Sequence, residues 1–204
     1  MGKKTLCLKR LQEAGINVHE YEEVRSFEEL IHYIELNPNM SIRFDDDQGT
    51  TDLPFYVIDN GNQEYLREIV EQAGIGNFTM LVSNGHQYDA DQICNFVGKV
   101  SPDGTFELEY SIKKIPLRHM YRRGTTSVRG NYGDLSTYSY LNKNENIISK
   151  KELEDILTYL FQIKIYNRDI EGTLYPYPVG VYKRNIAIWQ VREEDNYGRK
   201  NFIR

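Results

Sequence analysis

The sequence has few cysteines and no long apolar run. Only Cys7 and Cys94 occur among 204 residues, and they lack the Cys-x-x-Cys spacing, so neither a zinc site nor a disulfide framework is indicated. No apolar stretch is long enough to cross a membrane, and the basic N-terminus lacks the apolar centre of a signal peptide. We therefore expect no membrane association and a cytoplasmic, reducing location.

An excess of basic residues is also missing. The chain has 25 Lys and Arg against 30 Asp and Glu, a formal net charge of −5. Proteins that coat nucleic acids neutralise phosphates with basic patches, so a nucleic-acid partner is not expected. The Walker loop, the dinucleotide fingerprint and the Gly-x-Ser-x-Gly elbow are absent too, which leaves covalent nucleophile chemistry without support.

Tyrosine is abundant, with 16 residues, in a chain that is otherwise 40% hydrophobic and 27% charged. Such values are typical of a globular protein. A tyrosine excess has two interpretations, the packing of half-buried strands and a protein–protein interface. The length suits either one large compact unit or two small lobes, which we place at residues 1–85 and 86–204.

Helical and strand patterns alternate along the chain. Apolar residues recur at helical spacing in four segments, two of which begin with a Ser-x-x-Glu capping box at Ser26 and Ser149. Asp103-Gly104 between two apolar runs predicts a β-hairpin. The predicted helices lie at residues 5–14, 27–37, 63–73 and 150–161, and the predicted strands at 41–44, 53–58, 78–82, 93–100, 106–112, 163–166, 179–182 and 186–191.

The sequence thus predicts a mixed α/β (α+β) fold with about four helices and an antiparallel second half. Residues 118–140 have no clean period and are predicted to form a long loop or a pair of irregular strands.

Four arginines are concentrated among small residues in one segment. Guanidinium groups bind phosphate or carboxylate bidentately, and neighbouring glycines let backbone amides approach the same anion. The segment therefore predicts an anion-binding loop, and a solvated basic loop is the alternative. The acidic run at residues 45–47 has two interpretations also, a cation site and a solvated turn. The four arginines are Arg118, Arg122, Arg123 and Arg129.

Four phrases, taken in chain order, resemble an ATP-grasp domain. They are Leu11–Val18, Ser26–Leu30, Ser41–Arg43 and Phe96–Val100. The ribosomal-protein glutamate ligases and small peptide ligases are members of that family. The resemblance implies two small lobes with mixed and antiparallel sheets, and binding of ATP and Mg²⁺ by a carboxylate–amine ligase.

The resemblance also implies roles for individual residues. It places Arg43, Lys99, Arg118 and Arg122 around the nucleotide phosphates, and Asp169 or Glu171 near a metal. It assigns no catalytic residue.

The chain departs from the family pattern at its end. Gln190 and Arg192 stand where the family has a Glu-x-Asn pair that coordinates magnesium. A neutral amide and a cation do not replace two such oxygen ligands, which favours a degenerate, non-catalytic relative. The alternative hypothesis is an interaction or assembly protein that uses a tyrosine-rich surface to bind a protein partner or a second copy of itself.

Overall fold

Two antiparallel sheets and three helices make up the described part of the computed structural model. The structure describes residues 3–36, 40–45, 55–58, 67–68, 79–84, 91–112, 125–142 and 147–192. None of the helices in these ranges combines the length and apolarity needed to cross a membrane. The elements are α1 (Lys3–Glu13), β1 (Tyr21–Val24), α2 (Phe27–Leu36), β2 (Met40–Asp45), β3 (Phe55–Ile58), β4 (Thr79–Asn84), β5 (Cys94–Val100), β6 (Thr105–Ser111), β7 (Thr126–Asn131), β8 (Asp134–Asn142), α3 (Lys150–Gln162), β9 (Ile170–Val179) and β10 (Arg184–Val191).

The chain divides into two compact units. The first comprises Met1–Ala90 with Tyr177–Ala187, and the second comprises Asp91–Pro176 with Ile188–Arg204. The first contains a four-stranded sheet in the order β1-β4-β2-β3, and the other sheet has the order β10-β9-β5-β6-β7-β8. Every strand pair whose register is determined is antiparallel.

A distant carboxylate caps the first helix. The first turn of α1 contains no acidic residue, although free amides at a helix N-terminus favour negative charge. The buried side chain of Asp45 supplies it, accepting hydrogen bonds from the backbone amides of Lys4 at 3.2 Å and Thr5 at 2.8 Å. Asp45 therefore fastens β2 to α1, and the two other acidic residues of its run lie outside the described residues.

The tip of the β9–β10 hairpin is held by one buried amide in the first unit. Asn17 donates from Nδ2 to the carbonyls of Val179 and Ile186, at 3.0 and 2.7 Å, and accepts from the amide of Tyr182 at 2.8 Å. Gly180 turns the chain at φ +72°, and a Cβ there would lie 2.3 Å from the carbonyl oxygen of Val18. Only glycine fits this turn without strain.

One helix covers one face of the six-stranded sheet. The capping box at Ser149 is complete, because its side chain accepts from the Glu152 amide and the Glu152 side chain accepts from the Ser149 amide. The apolar stripe of α3 packs on β5, where a Cβ at Gly98 would lie 2.5 Å from Leu160. Glycine thus permits the close approach of helix and sheet. The buried residues of α3 are Leu153, Ile156, Leu157, Tyr159 and Leu160.

Several predicted elements are confirmed. The helix over 5–14 forms and ends before Gly15, which has φ +75°. The hairpin forms around Gly104 at φ +88°, and residues 126–142 form two strands with irregular register. Of the helix predicted over 63–73, only Arg67 and Glu68 are described, and both are helical.

Two predicted strands are wrong. Residues 163–166 form a turn and an irregular segment after α3, because Lys164 and Asn167 adopt positive φ values of 54° and 59°. The strand predicted over 179–182 is instead the end of β9 and a turn. The strand that forms here, β9, contains Pro176 and Pro178. Both prolines lie beyond Leu174, the last residue opposite β5, so the pairing of β9 with β5 loses no N–H donor.

Candidate functional site

The second face of the six-stranded sheet, away from α3, carries polar side chains in three cross-strand rows. Residues directly opposite in antiparallel strands share a face, as do residues two apart along one strand. Asn95, Val97 and Lys99 of β5 each belong to a different row. We call this surface the polar face, and its members are Asn95, Thr173 and Ser111 in the inner row, Val97, Glu171, Glu109 and Ser127 in the middle row, and Lys99, Glu107, Arg129 and Ser139 in the outer row.

The inner row is a buried hydrogen-bonded chain. Trp189 donates from Nε1 to Oγ1 of Thr173 at 2.8 Å, and that hydroxyl donates to Oδ1 of Asn95 at 2.5 Å. Trp189 also packs on Val97 of the middle row. Buried polar groups that hydrogen-bond to one another in this way add rigidity, so we expect the inner row to be rigid.

The middle row holds two carboxylates on either side of Val97. Glu171 of β9 has a side chain only 3% exposed, and the guanidinium of Arg192 neutralises it. Nε and Nη2 of Arg192 each lie 2.5 Å from the same oxygen, Oε1. On the other side, Glu109 accepts a hydrogen bond from Thr125. Burial raises the pKa of Glu109 above its ordinary value, and the Thr125 hydroxyl opposes that rise.

The outer row is charged and more exposed. Lys99 lies opposite Glu107, and Glu107 lies opposite Arg129, so two cations flank one carboxylate across three strands. The row lines a depression of about 420 Å³, and Ser101, Thr105 and Gly130 line it as well. A Cβ at Gly130 would lie 2.9 Å from the side chain of Tyr138. Two cations and several hydroxyls are a donor set suited to an anion.

The structure places five of the predicted site residues on four strands and one loop. Lys99, Arg129 and Glu171 lie together on the polar face, and Asp169 immediately precedes β9, where its carbonyl accepts from the Arg192 amide at 2.9 Å. Arg43 lies in the first unit on β2, half-buried, opposite Phe55 and Leu81. The predicted residues Arg118, Arg122 and Arg123 lie outside the described residues.

Glu109 and the inner row were not predicted from the sequence. Their signal was present as the period-2 alternation of polar residues in Asn95-x-Val97-x-Lys99 and Glu107-x-Glu109-x-Ser111, which marks one polar face of a strand. The contact between Arg192 and Glu171 was not predicted either. No short-range pattern indicates that pair, because the two residues are joined only by the pairing of β9 with β10.

The chemistry of the polar face does not suit a divalent cation. Within the described ranges, no group of three or more His, Cys, Asp or Glu side chains is placed to hold a metal. Glu171 is bound to a guanidinium, and Val97 separates it from Glu109 in the row. Mg²⁺ requires near-octahedral oxygen ligands, so the residues present do not fit it.

Solved structures with a similar fold are ATP-grasp proteins, and the fold is ATP-grasp-like. A RimK-domain ATP-grasp protein from Sphaerobacter thermophilus has a TM-score of 0.54 and 14% identity, covering 93% of this chain and 58% of its own. The D-alanine–D-alanine ligase from Coxiella burnetii has a TM-score of 0.52 and 8% identity, covering 93% and 46%. The D-alanyl-alanine synthetase A from Vibrio cholerae has a TM-score of 0.50 and 10% identity, covering 91% and 53%.

The chain therefore spans about half the length of these structures. No protein-family model matches the sequence, and no curated protein matches it.

Proposed function

We propose that this chain binds a nucleotide without turning it over, with the phosphates against the outer row of the polar face. The observation that carries the proposal is the placement of Lys99 and Arg129 in one row over a depression lined by hydroxyls. The ATP-grasp-like fold supports it, since the neighbours named above are ligases or domains of that class. The roles that the resemblance implies for Arg43, Arg118 and Arg122, and the anion-binding role predicted for Arg123, stay predictions from the sequence.

The spacing of the two cations suits a chain of phosphates. Lys99 and Arg129 stand two strands apart, roughly 10 Å at the backbone, so their long side chains can contact different phosphates of one polyphosphate. Arginine contributes a planar fork and lysine a point charge, and both bind phosphate. Glu107 stands between them and opposes an anion electrostatically.

Turnover is not proposed, because metal-dependent phosphoryl transfer requires cations held by oxygen ligands at the phosphates. The carboxylate Glu171 is bound to Arg192, and Gln190 is a neutral amide. The resemblance implies that a working carboxylate–amine ligase binds ATP together with Mg²⁺. We propose instead that this chain binds the nucleotide without the metal.

Calorimetric titration with ATP in EDTA buffer tests the proposal. Lys99→Ala and Arg129→Ala should each weaken binding by roughly tenfold, the loss expected for one charge-assisted hydrogen bond. Glu107→Gln should strengthen it, because the repulsion is removed. The matched control is Lys150→Ala, since Lys150 is an exposed lysine at the start of α3, which packs on the other face of the sheet. A wild-type titration without heat would refute the proposal.

The tyrosine-rich composition supports the interaction hypothesis less well. Three tyrosines, Tyr110, Tyr159 and Tyr175, are buried, and the hydroxyl of the more exposed Tyr182 donates to the carbonyl of Gln12 at 2.6 Å. These tyrosines serve packing and internal hydrogen bonding. Binding of a protein partner, or of a second copy of the chain, stays a prediction.

A further inference from the structure

We infer that the guanidinium of Arg192 takes the place of a divalent cation at Glu171, so that nucleotide binding by this chain is independent of metal. The role of Arg192 at Glu171 is independent of the proposed function, whereas metal-independent nucleotide binding rests on it. The Glu171 side chain is only 3% exposed, and the Arg192 side chain is 43% exposed.

A buried carboxylate requires a compensating positive charge. Removing a carboxylate from water costs several kcal/mol unless a partner and hydrogen bonds offset the loss. Two nitrogens of Arg192 converge on Oε1 of Glu171 at 2.5 Å, and the Arg192 amide also donates to the carbonyl of Asp169. Backbone and side chain together fix the guanidinium at this carboxylate.

In the described part of the chain, the other residues of the middle row offer a metal little else. Val97, the cross-strand neighbour of Glu171, is apolar. Glu109 is the next carboxylate in the row, but it lies on the far side of Val97, roughly 10 Å away at the backbone, and is bonded to Thr125. Among the described residues no group of three or more His, Cys, Asp or Glu side chains is placed to hold a metal, and an incoming Mg²⁺ would have to displace a permanently charged guanidinium.

Neutralisation of Glu171 by an arginine differs from neutralisation by a bound metal. A metal site is filled or empty according to metal concentration, whereas the guanidinium is covalently attached and keeps its charge at all physiological pH values. The carboxylate is therefore neutralised permanently. Chelators should leave both the fold and nucleotide affinity unchanged, unlike the behaviour of a metal-dependent site.

The direct test uses Mn²⁺ alone and electron paramagnetic resonance of the full chain. Wild type should leave the signal of free Mn²⁺ unchanged. The combined variant Arg192→Asn with Gln190→Glu removes the guanidinium and introduces the Glu-x-Asn pair of the family pattern, and it should bind Mn²⁺ at least tenfold more tightly, a difference of about 1.4 kcal/mol. Arg184→Asn is the matched control, because it removes the arginine at the start of β10, the strand that Arg192 directly follows, and it should behave as wild type.

Three results would overturn the inference. One is Mn²⁺ binding by wild type that Glu171→Gln abolishes, a comparison that remains decisive should the combined variant fail to fold. Another is a folded combined variant that gains no Mn²⁺ affinity, because the arginine would then not be what excludes the metal. The third is ATP affinity of wild type that rises tenfold or more when Mg²⁺ replaces EDTA. Absence of ATP binding in both buffers would instead refute the proposed function, and the Mn²⁺ experiment would still decide the role of Arg192.

Discussion

His19 should make the stability of the protein sensitive to mildly acidic pH. The side chain is buried, and burial lowers its pKa from 6.5 to about 3. In the unfolded chain the same imidazole titrates near pH 6.5. Below that pH the unfolded state binds a proton that the folded state does not, so the free energy of unfolding falls as the pH is lowered.

The magnitude follows from the two pKa values. Between pH 8 and pH 5 the unfolded imidazole becomes fully protonated, which costs about 1.5 pH units times 1.36 kcal/mol, or about 2 kcal/mol of stability. In the folded state the His19 imidazole remains neutral over this range, because its pKa lies well below 5. The loss continues on further acidification and ends near pH 3.

Urea unfolding followed by circular dichroism at pH 8 and pH 5 measures this loss. His19→Gln cannot titrate, so its stability should fall by about 2 kcal/mol less than that of wild type between the two pH values. The control is His32→Gln, which removes an exposed histidine of α2 and should keep the wild-type dependence. The reasoning is refuted if His19→Gln and wild type lose stability in parallel.

Two further predictions concern the hairpin tip of the first unit. Asn17→Ala removes a buried amide that bonds three backbone groups. Because those groups lose their partner, the free energy of unfolding should fall by about 3 kcal/mol. A loss below about 1 kcal/mol in urea titration would contradict the assigned contacts. Gly180→Ala should lower the free energy of unfolding by about 3 kcal/mol, because the residue has positive φ and its Cβ would collide with the Val18 carbonyl. Gly15→Ala has a similar φ but no atom within 4 Å of the added Cβ, so it should lower the free energy of unfolding by only about 1 kcal/mol. Equal losses for the two glycine variants would show that the collision relaxes.

The sequence predicted the elements that depend on neighbouring residues. The capping box at Ser149, the left-handed Gly15 and Gly104, and the β5–β6 hairpin are all confirmed. Each is specified within about five residues, since caps and turns satisfy backbone groups locally. The capping at Ser26 differs in one detail, because Glu29 accepts from the amide of Arg25 rather than from that of Ser26.

The end of the chain was predicted less well for a physical reason. A proline within an apolar run argues against a strand when only local pattern is considered. Pro176 and Pro178 are nevertheless accommodated in β9, because its pairing with β5 ends at Leu174. Which strand lies beside a proline depends on the sheet order, and the local pattern does not contain that information.

The sequence by itself determined the α+β class, the resemblance that the fold supports, and the candidates Lys99, Arg129 and Glu171. Tertiary structure alone decided what those residues face. Pairing of β5, β6 and β7 sets Lys99, Glu107 and Arg129 in one row, pairing of β9 with β10 brings Arg192 to Glu171, and the contact of β2 with α1 makes Asp45 a helix cap. Alternation along a strand shows that it has a polar face, but the opposing charges come from residues distant in sequence, and only their long-range pairing turns a candidate metal ligand into one half of an ion pair.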